Sequence, residues 1–457
     1  MGEEINRRDF MKRAGFATAA VSLSMAGFST TKVLGANDRI RLGVIGMGRQ
    51  GLDDMQNFMR HGVEVAAVCD VYQPNLDKGL AAAGGKARTS KDFRDVLGDK
   101  EVDVVLITTP DHWHALPAVE ACKAGKDVYV EKPICVAVEE GQKMVAAARK
   151  YNRVVQAGLW QRSNQHFQKA AEVVQSGGLG KVSFVRTWNY ANNYPKGQGV
   201  YADSEPPAGL DWNFWLGPAP KVPYNFQRFG VAENRWSTFR YFYDYANGWP
   251  GDWGVHLMDI VQWAMKTDGP TGITAMGFKH YITDNTETPD TLQITWEYPD
   301  FIATYENRLC NANSMYKHPY GIEFHGTDAT LFLDRSGFEV FPEPVEQGDY
   351  RDLHKSAAEQ AGGQQAGKVP AMKMEKVDDG LAIHVGNFLD CVRTRNTPRS
   401  DIEYGHRSSS CCLLANVALR TREHLEWDVA NQKLLKGSAA AKKLLGREYR
   451  APWKLTV

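Results

Sequence analysis

Residues Arg41-Leu42-Gly43-Val44-Ile45-Gly46-Met47-Gly48-Arg49-Gln50-Gly51 form an apolar run that breaks into spaced glycines. The pattern reads as a strand, a tight turn and the first turn of a helix. In such a turn Gly46 makes the reversal, Gly48 lets a pyrophosphate approach the backbone, and Gly51 lets the helix pack closely on the strand. Arg49 and Gln50 open the helix, whose unpaired N–H groups and positive dipole end would face phosphates. Glycines also collect in ordinary loops, so the turn alone is a weak signal. A second strand-like run, Val63-Glu64-Val65-Ala66-Ala67-Val68-Cys69, strengthens it because it ends in Asp70. That carboxylate falls roughly 20 to 25 residues past the first glycine, where an acid accepts hydrogen bonds from a ribose 2'-hydroxyl. The stretch therefore predicts a dinucleotide site. Asp70 is followed by Val71-Tyr72 rather than by a residue able to neutralise a 2'-phosphate, which favours NAD over NADP.

From Ile40 to about Gly158 strand-like and helix-like runs alternate. Val102-Asp103-Val104-Val105-Leu106-Ile107 reads as a buried parallel strand. The loop Thr108-Thr109-Pro110-Asp111-His112-Trp113-His114 follows it, then a helix, then the strand Asp127-Val128-Tyr129-Val130 ending in Glu131-Lys132-Pro133. This is a doubly wound α/β sheet of Rossmann type, with ligands expected at the carboxyl ends of its strands. Gly46, Asp70, Thr108 and Lys132 all fall at such ends.

Beyond residue 158 the texture changes to alternating strands, such as Lys181–Thr187, Asp290–Tyr298 and Phe301–Asn307, mixed with aromatic loops. The alternation predicts a C-terminal α+β domain over 159–457 with a large, mostly antiparallel open sheet, after a Rossmann domain over 38–158. Residues 347–379, rich in Gln, Gly, Ala, Lys and Glu, read as a loop excursion. Helical periodicity returns at Leu381–Arg395 and Ser408–Leu425.

At 457 residues the chain suits two domains plus appendages, and 54 basic against 54 acidic side chains favour neither nucleic acid nor an anionic membrane. Seven cysteines without paired metal-type spacing argue against a disulfide framework and against zinc. Cys411-Cys412 reads as core packing. The 12 Trp, 18 Tyr and 19 Phe include a surplus of the flat, polar-edged rings that suit a sugar site.

Asn6-Arg7-Arg8-Asp9-Phe10-Met11-Lys12 precedes a mild, small-residue apolar segment from Ala14 to about Phe28, then Leu34-Gly35-Ala36. Residues 1–36 thus resemble a twin-arginine export signal, the alternative being a disordered basic tail. The run is too short and too rich in Ala, Ser, Thr and Gly for a stable membrane anchor. The expected location is periplasmic, with the export machinery as a partner. That route carries folded proteins, so a cofactor could be loaded before export.

Two segments carry chemistry. Lys132 at the sheet's carboxyl edge, beside a bound nicotinamide, could hydrogen-bond the ribose and the reacting oxygen and favour developing alkoxide charge. In Gly248-Trp249-Pro250-Gly251-Asp252-Trp253-Gly254-Val255-His256, Asp252 and His256 are four apart and share a face on a helix. Hydride removal from an alcohol carbon requires loss of the hydroxyl proton, and an imidazole is suited to take it. Asp252 would orient that imidazole or hold a neighbouring substrate hydroxyl. A metal half-site or a plain surface pair are the alternatives; no third ligand stands in register, so no metal is expected.

The glycine turn, the Glu-Lys-Pro strand end and the Asp-x-x-x-His helix, in that order, resemble the Gfo/Idh/MocA oxidoreductases, the family of glucose-fructose oxidoreductase and inositol dehydrogenase. The resemblance covers roughly residues 38 to 457. It implies a nicotinamide cofactor, sugars or polyols as substrates, and a C-terminal sheet that often builds dimers or tetramers. It places Lys132, Asp252 and His256 at catalytic positions and Gly46, Gly48, Gly51 and Asp70 at cofactor positions, with Arg49, Gln50, Thr108 and Glu131 beside them. His114 matches a histidine after the third-strand loop, in cofactor contact or in packing. Arg162 would point into the cleft or form a helix-start ion pair. Asn189, Tyr190, Arg240 and Tyr243 are candidate sugar contacts.

The reading that follows is an exported, NAD-containing oxidoreductase acting on a secondary hydroxyl of a sugar or glycoside. Its nicotinamide would be regenerated in place, by a second sugar or ketone, or its keto product passed to a lyase. A redox-neutral glycosidase resembling glycoside hydrolase family 109 competes, although that offshoot departs from the Asp-x-x-x-His pattern kept here. A sugar-binding protein without turnover is the third reading.

Overall fold

The computed structural model describes residues 39–232, 236–314, 317–345 and 367–457. The twin-arginine segment and most of the 347–379 excursion lie outside the described residues. Ile40–Val457 forms one compact unit.

Six strands, β1 (Arg41–Ile45), β2 (Glu64–Cys69), β3 (Arg88–Ser90), β4 (Val104–Ile107), β5 (Asp127–Val130) and β6 (Val155–Ala157), build a wholly parallel sheet in the order β3-β2-β1-β4-β5-β6. The apolar run Val104-Val105-Leu106-Ile107 is buried at every residue because helices cover both faces. The chain's direction of winding reverses between β1 and β4, which opens the crevice where doubly wound sheets bind ligands.

Ten further strands follow. They are β7 (Val182–Tyr190), β8 (Gly272–Phe278), β9 (Thr291–Glu297), β10 (Ile302–Arg308), β11 (Tyr320–Gly326), β12 (Ala329–Asp334), β13 (Gly337–Pro342), β14 (Met372–Glu375), β15 (Leu425–Asp428) and β16 (Lys433–Lys436). They pair in the order β14-β13-β12-β11-β7-β10-β9-β8-β15-β16, antiparallel except where β7 meets β10. The fold is therefore a Rossmann sheet joined to a mostly antiparallel open sheet, as the alternating pattern predicts. One correction concerns the excursion: Met372-Lys373-Met374-Glu375 is an edge strand against β13, its period-two pattern placing Met374 against the core.

Two helices bind the sheets together. Ile402–Thr421 is buried on nearly every side, so its mixed Ser, Cys and Leu sequence lacks an amphipathic stripe. Its Gly405 lies against Ala157 of β6 and Ile134 just past β5, while the Cys411 carbonyl accepts the Trp296 indole N–H of the other sheet at 3.1 Å. Gly380–Thr394 turns back from the second sheet and lays Phe388 against Phe58 and Tyr129. All seven cysteines are free, and every one except Cys310 is buried. Among the described residues no helix is long and apolar enough to cross a membrane.

Candidate active site

The glycine turn is fixed by sterics. Gly46 adopts φ +97°, and a Cβ there would meet the Thr108–Thr109 backbone at 2.7 Å. A Cβ on Gly51 would lie 2.1 Å from the Gly46 carbonyl oxygen. Thr108 locks this arrangement, its hydroxyl donating to that carbonyl at 2.6 Å. Gly48 is different: it caps the helix Arg49–Arg60 without a side-chain hydrogen bond, and nothing lies within 4 Å of the position its Cβ would take. A helix start with no side-chain cap, no acid in its first turn and clear space before it fits the pyrophosphate of a dinucleotide.

Asp70 ends β2 and accepts the Met47 N–H at 2.8 Å, the Tyr72 N–H at 2.8 Å and the Asn75 amide at 3.3 Å. Burial raises its carboxyl while these donors oppose the rise. It therefore braces the glycine turn as well as facing the ribose side of the crevice. Gln50 donates to Asp54 at 2.8 Å, and the Arg49 guanidinium stacks over Trp236 at 4.5 Å.

Lys132 follows β5 and donates to Asp252 twice, at 2.8 Å to Oδ1 and 2.9 Å to the backbone oxygen. Arg240 donates to the same Oδ1 at 3.3 Å. Burial alone would raise the Asp252 carboxyl, but Lys132 and Arg240 overcome it and hold it at about 2. Asp252 belongs to a π-helical turn, Pro250–Gly254, that runs into the helix Val255–Ala264. Such widened turns recur at functional sites. Of the two roles expected of Asp252, orienting His256 or holding a substrate hydroxyl, the first finds no hydrogen bond here, because Lys132 and Arg240 take the carboxylate.

His256 lies between the indoles of Trp160 and Trp253, with ring centroids 6.4 and 6.3 Å away. Its Nδ1 is buried without a hydrogen-bond partner. Burial, then the charges of Lys132 and Arg335, push its pKa well below the usual range, so the imidazole is neutral. Glu131 is buried over Gly158, and burial raises its carboxyl to about 7. His114 Nδ1 and Nε2 lie 2.7 and 2.8 Å from the Pro133 and Thr109 carbonyls; burial lowers its pKa to about 4, so the neutral ring donates to one of the two.

Gly46, Gly48, Arg49, Gln50, Asp70, Thr108, His114, Glu131, Lys132, Arg240, Asp252 and His256 thus line one cavity of about 560 Å³. Four expected substrate contacts are not among its walls. Arg162 forms a buried ion pair with Asp259 at 2.8 Å, the ion-pair alternative rather than the cleft position. Asn189 accepts from Tyr305 and Asn307, beside which strand register places it. Tyr190 donates to Glu306 at 2.6 Å, and Tyr243 lies under the Arg420 guanidinium. Arg162, Asn189 and Tyr190 thus have their polar groups satisfied within the protein. Conversely, Asp111, Trp160, Trp236, Trp253, Arg335 and Lys376 line the cavity without having been singled out. Trp160 sits two residues from Arg162, and only the fold distinguishes which of the two faces inward.

The cavity therefore combines a nucleotide-shaped crevice with an ammonium, a carboxylate and a neutral imidazole at its far end. Over residues 40–159 the chain matches the Gfo/Idh/MocA oxidoreductase family, NAD-binding Rossmann fold, and over 163–355 and 365–455 the same family's C-terminal alpha/beta domain. The chain belongs to this family, and its N-terminal domain is an NAD-binding Rossmann fold. It is 32% identical over 171 residues to a glycosyl hydrolase family 109 protein of Shewanella baltica, covering 32% of this chain and 37% of that one. It is 32% identical over 154 residues to inositol 2-dehydrogenase of Salmonella typhimurium, covering 33% and 46%. The matched region thus spans less than half the length of these curated relatives. In fold it is similar to the WlbA dehydrogenase of Bordetella pertussis in complex with NADH and UDP-GlcNAcA, with a TM-score of 0.60, 16% identity and coverage of 85% and 99%.

Proposed function

We propose that the protein oxidises a secondary hydroxyl of a sugar or glycoside, with NAD held tightly enough to act as a prosthetic group. The observation that carries this reading is the convergence of Lys132, Asp252 and His256 on the cavity that begins at the glycine turn. NAD, held at the turn of Gly46 and Gly48 and by Asp70, would supply the hydride acceptor when bound. The neutral His256 takes the hydroxyl proton. Lys132, oriented by Asp252, donates to the reacting oxygen and stabilises its alkoxide character. Trp160 and Trp253 wall the cavity beside His256 and exclude water from it.

The twin-arginine pattern at Arg7-Arg8 supports export of the folded, loaded protein to the periplasm, through the export machinery. The second sheet exposes Met276, Phe278 and Ile302, which supports a homodimer or homotetramer.

The test is to purify the protein without added nucleotide, identify any bound dinucleotide by mass spectrometry, and incubate it with a glycoside panel. Keto sugars should accumulate, and Lys132→Met and His256→Ala should each abolish them. If neither substitution slows conversion of a proven substrate, the assignment is wrong. The likeness to a glycosyl hydrolase family 109 protein favours a second reading, redox-neutral glycoside cleavage. Release of aglycone with no keto sugar at any time would replace oxidation by that activity.

A further inference from the structure

Arg335 lies in the turn between β12 and β13 and reaches the cavity beside His256. Its guanidinium carbon stands 4.8 Å from the centre of the Trp160 ring and 4.5 Å from that of Trp253, the two indoles that also flank His256. Its Nε donates to Gln161 at 3.1 Å. Among the described residues no carboxylate stands within ion-pair distance of it. The neighbouring acids are engaged elsewhere: Asp252 by Lys132 and Arg240, Asp334 by Ser336 and His318, and Asp379 by the helix N–H of Ala382. Attraction to the indole faces offsets only part of what a largely enclosed guanidinium loses on leaving water.

The other cavity cations do not share this position. Lys132 and Arg240 are paired, Arg49 belongs to the glycine turn at the nucleotide end, and Lys91 is exposed just after β3. Lys376 is exposed at the rim beside Arg335, its backbone N–H donating to the Ser336 carbonyl at 2.7 Å.

We propose that Arg335 is a specificity-determining residue that receives a carboxylate carried by the substrate, making the substrate class a uronic-acid type of sugar or glycoside. This rests on the sugar-oxidoreductase reading above. A single fixed, unpaired guanidinium matches a monoanion. With Nε committed to Gln161 and its faces against indoles, its outward N–H edge suits a planar carboxylate better than a phosphate. The shared indole pair sets the carboxylate at one end of the bound sugar ring and His256, with the hydroxyl to be oxidised, at the other.

The test compares methyl glucuronide, methyl glucoside and a glucose phosphate as probes of the purified full-length holoprotein. Readouts are the rate of nicotinamide reduction and equilibrium binding by calorimetry. The wild type should prefer the glucuronide to both others by at least about 10-fold in kcat/KM, the scale of a charge-assisted hydrogen-bond pair. Arg335→Gln should cost the glucuronide about 10- to 100-fold more than it costs the glucoside. Arg335→Lys, which keeps the charge and loses the fork, should fall between and serves if the glutamine variant does not fold. Equal losses on charged and neutral probes, or a wild-type preference for the glucoside or the phosphate, overturn the proposal. If no probe is oxidised, the oxidoreductase reading fails separately. Binding then decides: glucuronide affinity lost in Arg335→Gln upholds the carboxylate site, and absence of glucuronide binding to the wild type overturns it.

Discussion

The Lys132 ammonium and the Asp252 carboxylate meet at 2.8 Å across 120 residues of chain, joining the edge of the parallel sheet to the π-helical turn that precedes His256. The pair holds the lysine over the end of the cavity while Asp252 also restrains Arg240. Asp252→Asn keeps the shape and removes the charge that both cations share. It should lower kcat by about 10²- to 10³-fold, the range seen when one preorganised electrostatic partner is lost. Copurified NAD, measured by absorbance, should persist, and a variant with wild-type turnover would show that the pair is only structural.

Gly48 and Gly51 separate cofactor binding from folding. Gly48→Val places a side chain where the backbone faces open space, so NAD content should fall sharply while apo-protein melting changes little. Gly51→Ala drives a methyl to 2.1 Å from the Gly46 carbonyl and should destabilise the fold by about 1–3 kcal/mol. Denaturant melts of both apo variants check the contrast.

Arg162 and Asp259 are a buried pair further bound by Ser408 at 2.8 Å. Removing one partner, as in Arg162→Met, strands the other charge and should cost about 3–5 kcal/mol. Because Arg162 is not in the cavity wall, the substrate KM of the surviving folded fraction should stay near wild type. A large rise in KM with unchanged stability would return Arg162 to the substrate site.

Burial raises the Asp111 carboxyl to about 7, whereas Lys132 and Arg240, outweighing burial, hold Asp252 at about 2. The two have opposite consequences for stability. Asp252 contributes stability above pH 4 that is lost as pH falls from about 4 toward 2. Asp111 binds its proton more tightly in the fold than in the unfolded chain, so its contribution is complete below about pH 4 and is lost as pH rises toward 7. Asp111→Asn in the apo protein should therefore raise stability at pH 8 by about 2–4 kcal/mol and flatten the profile between pH 4 and 7. An unchanged profile in urea melts across that range would remove Asp111 as its source.

The first sheet was legible because its strands are short apolar runs with ligand-bearing ends: Ile45 before Gly46, Ile107 before Thr108, Val130 before Glu131. Lys132 and His256 were legible for the same reason, as chemistry-bearing residues inside recurrent motifs. Arg335 was not, because its significance arises from Trp160 and Trp253, 175 and 82 positions away in the chain. Asn189 and Tyr190 illustrate the converse. Their residue types suit a sugar, yet partners on β10 satisfy both, and cross-strand partners follow from sheet register. Ile402–Thr421 hid its start because a helix buried on nearly all sides presents no period to read.

The return of Gly380–Thr394 to the parallel sheet has a consequence for the order of synthesis. The core beneath β1 and β5 contains Leu42, Val44, Phe58 and Tyr129, and it is completed by Val385, Phe388 and Leu389. A nascent chain ending anywhere before those residues leaves that apolar surface in water, however complete its six strands are. The core of the nucleotide-binding half is therefore complete only once the ribosome has delivered Leu389.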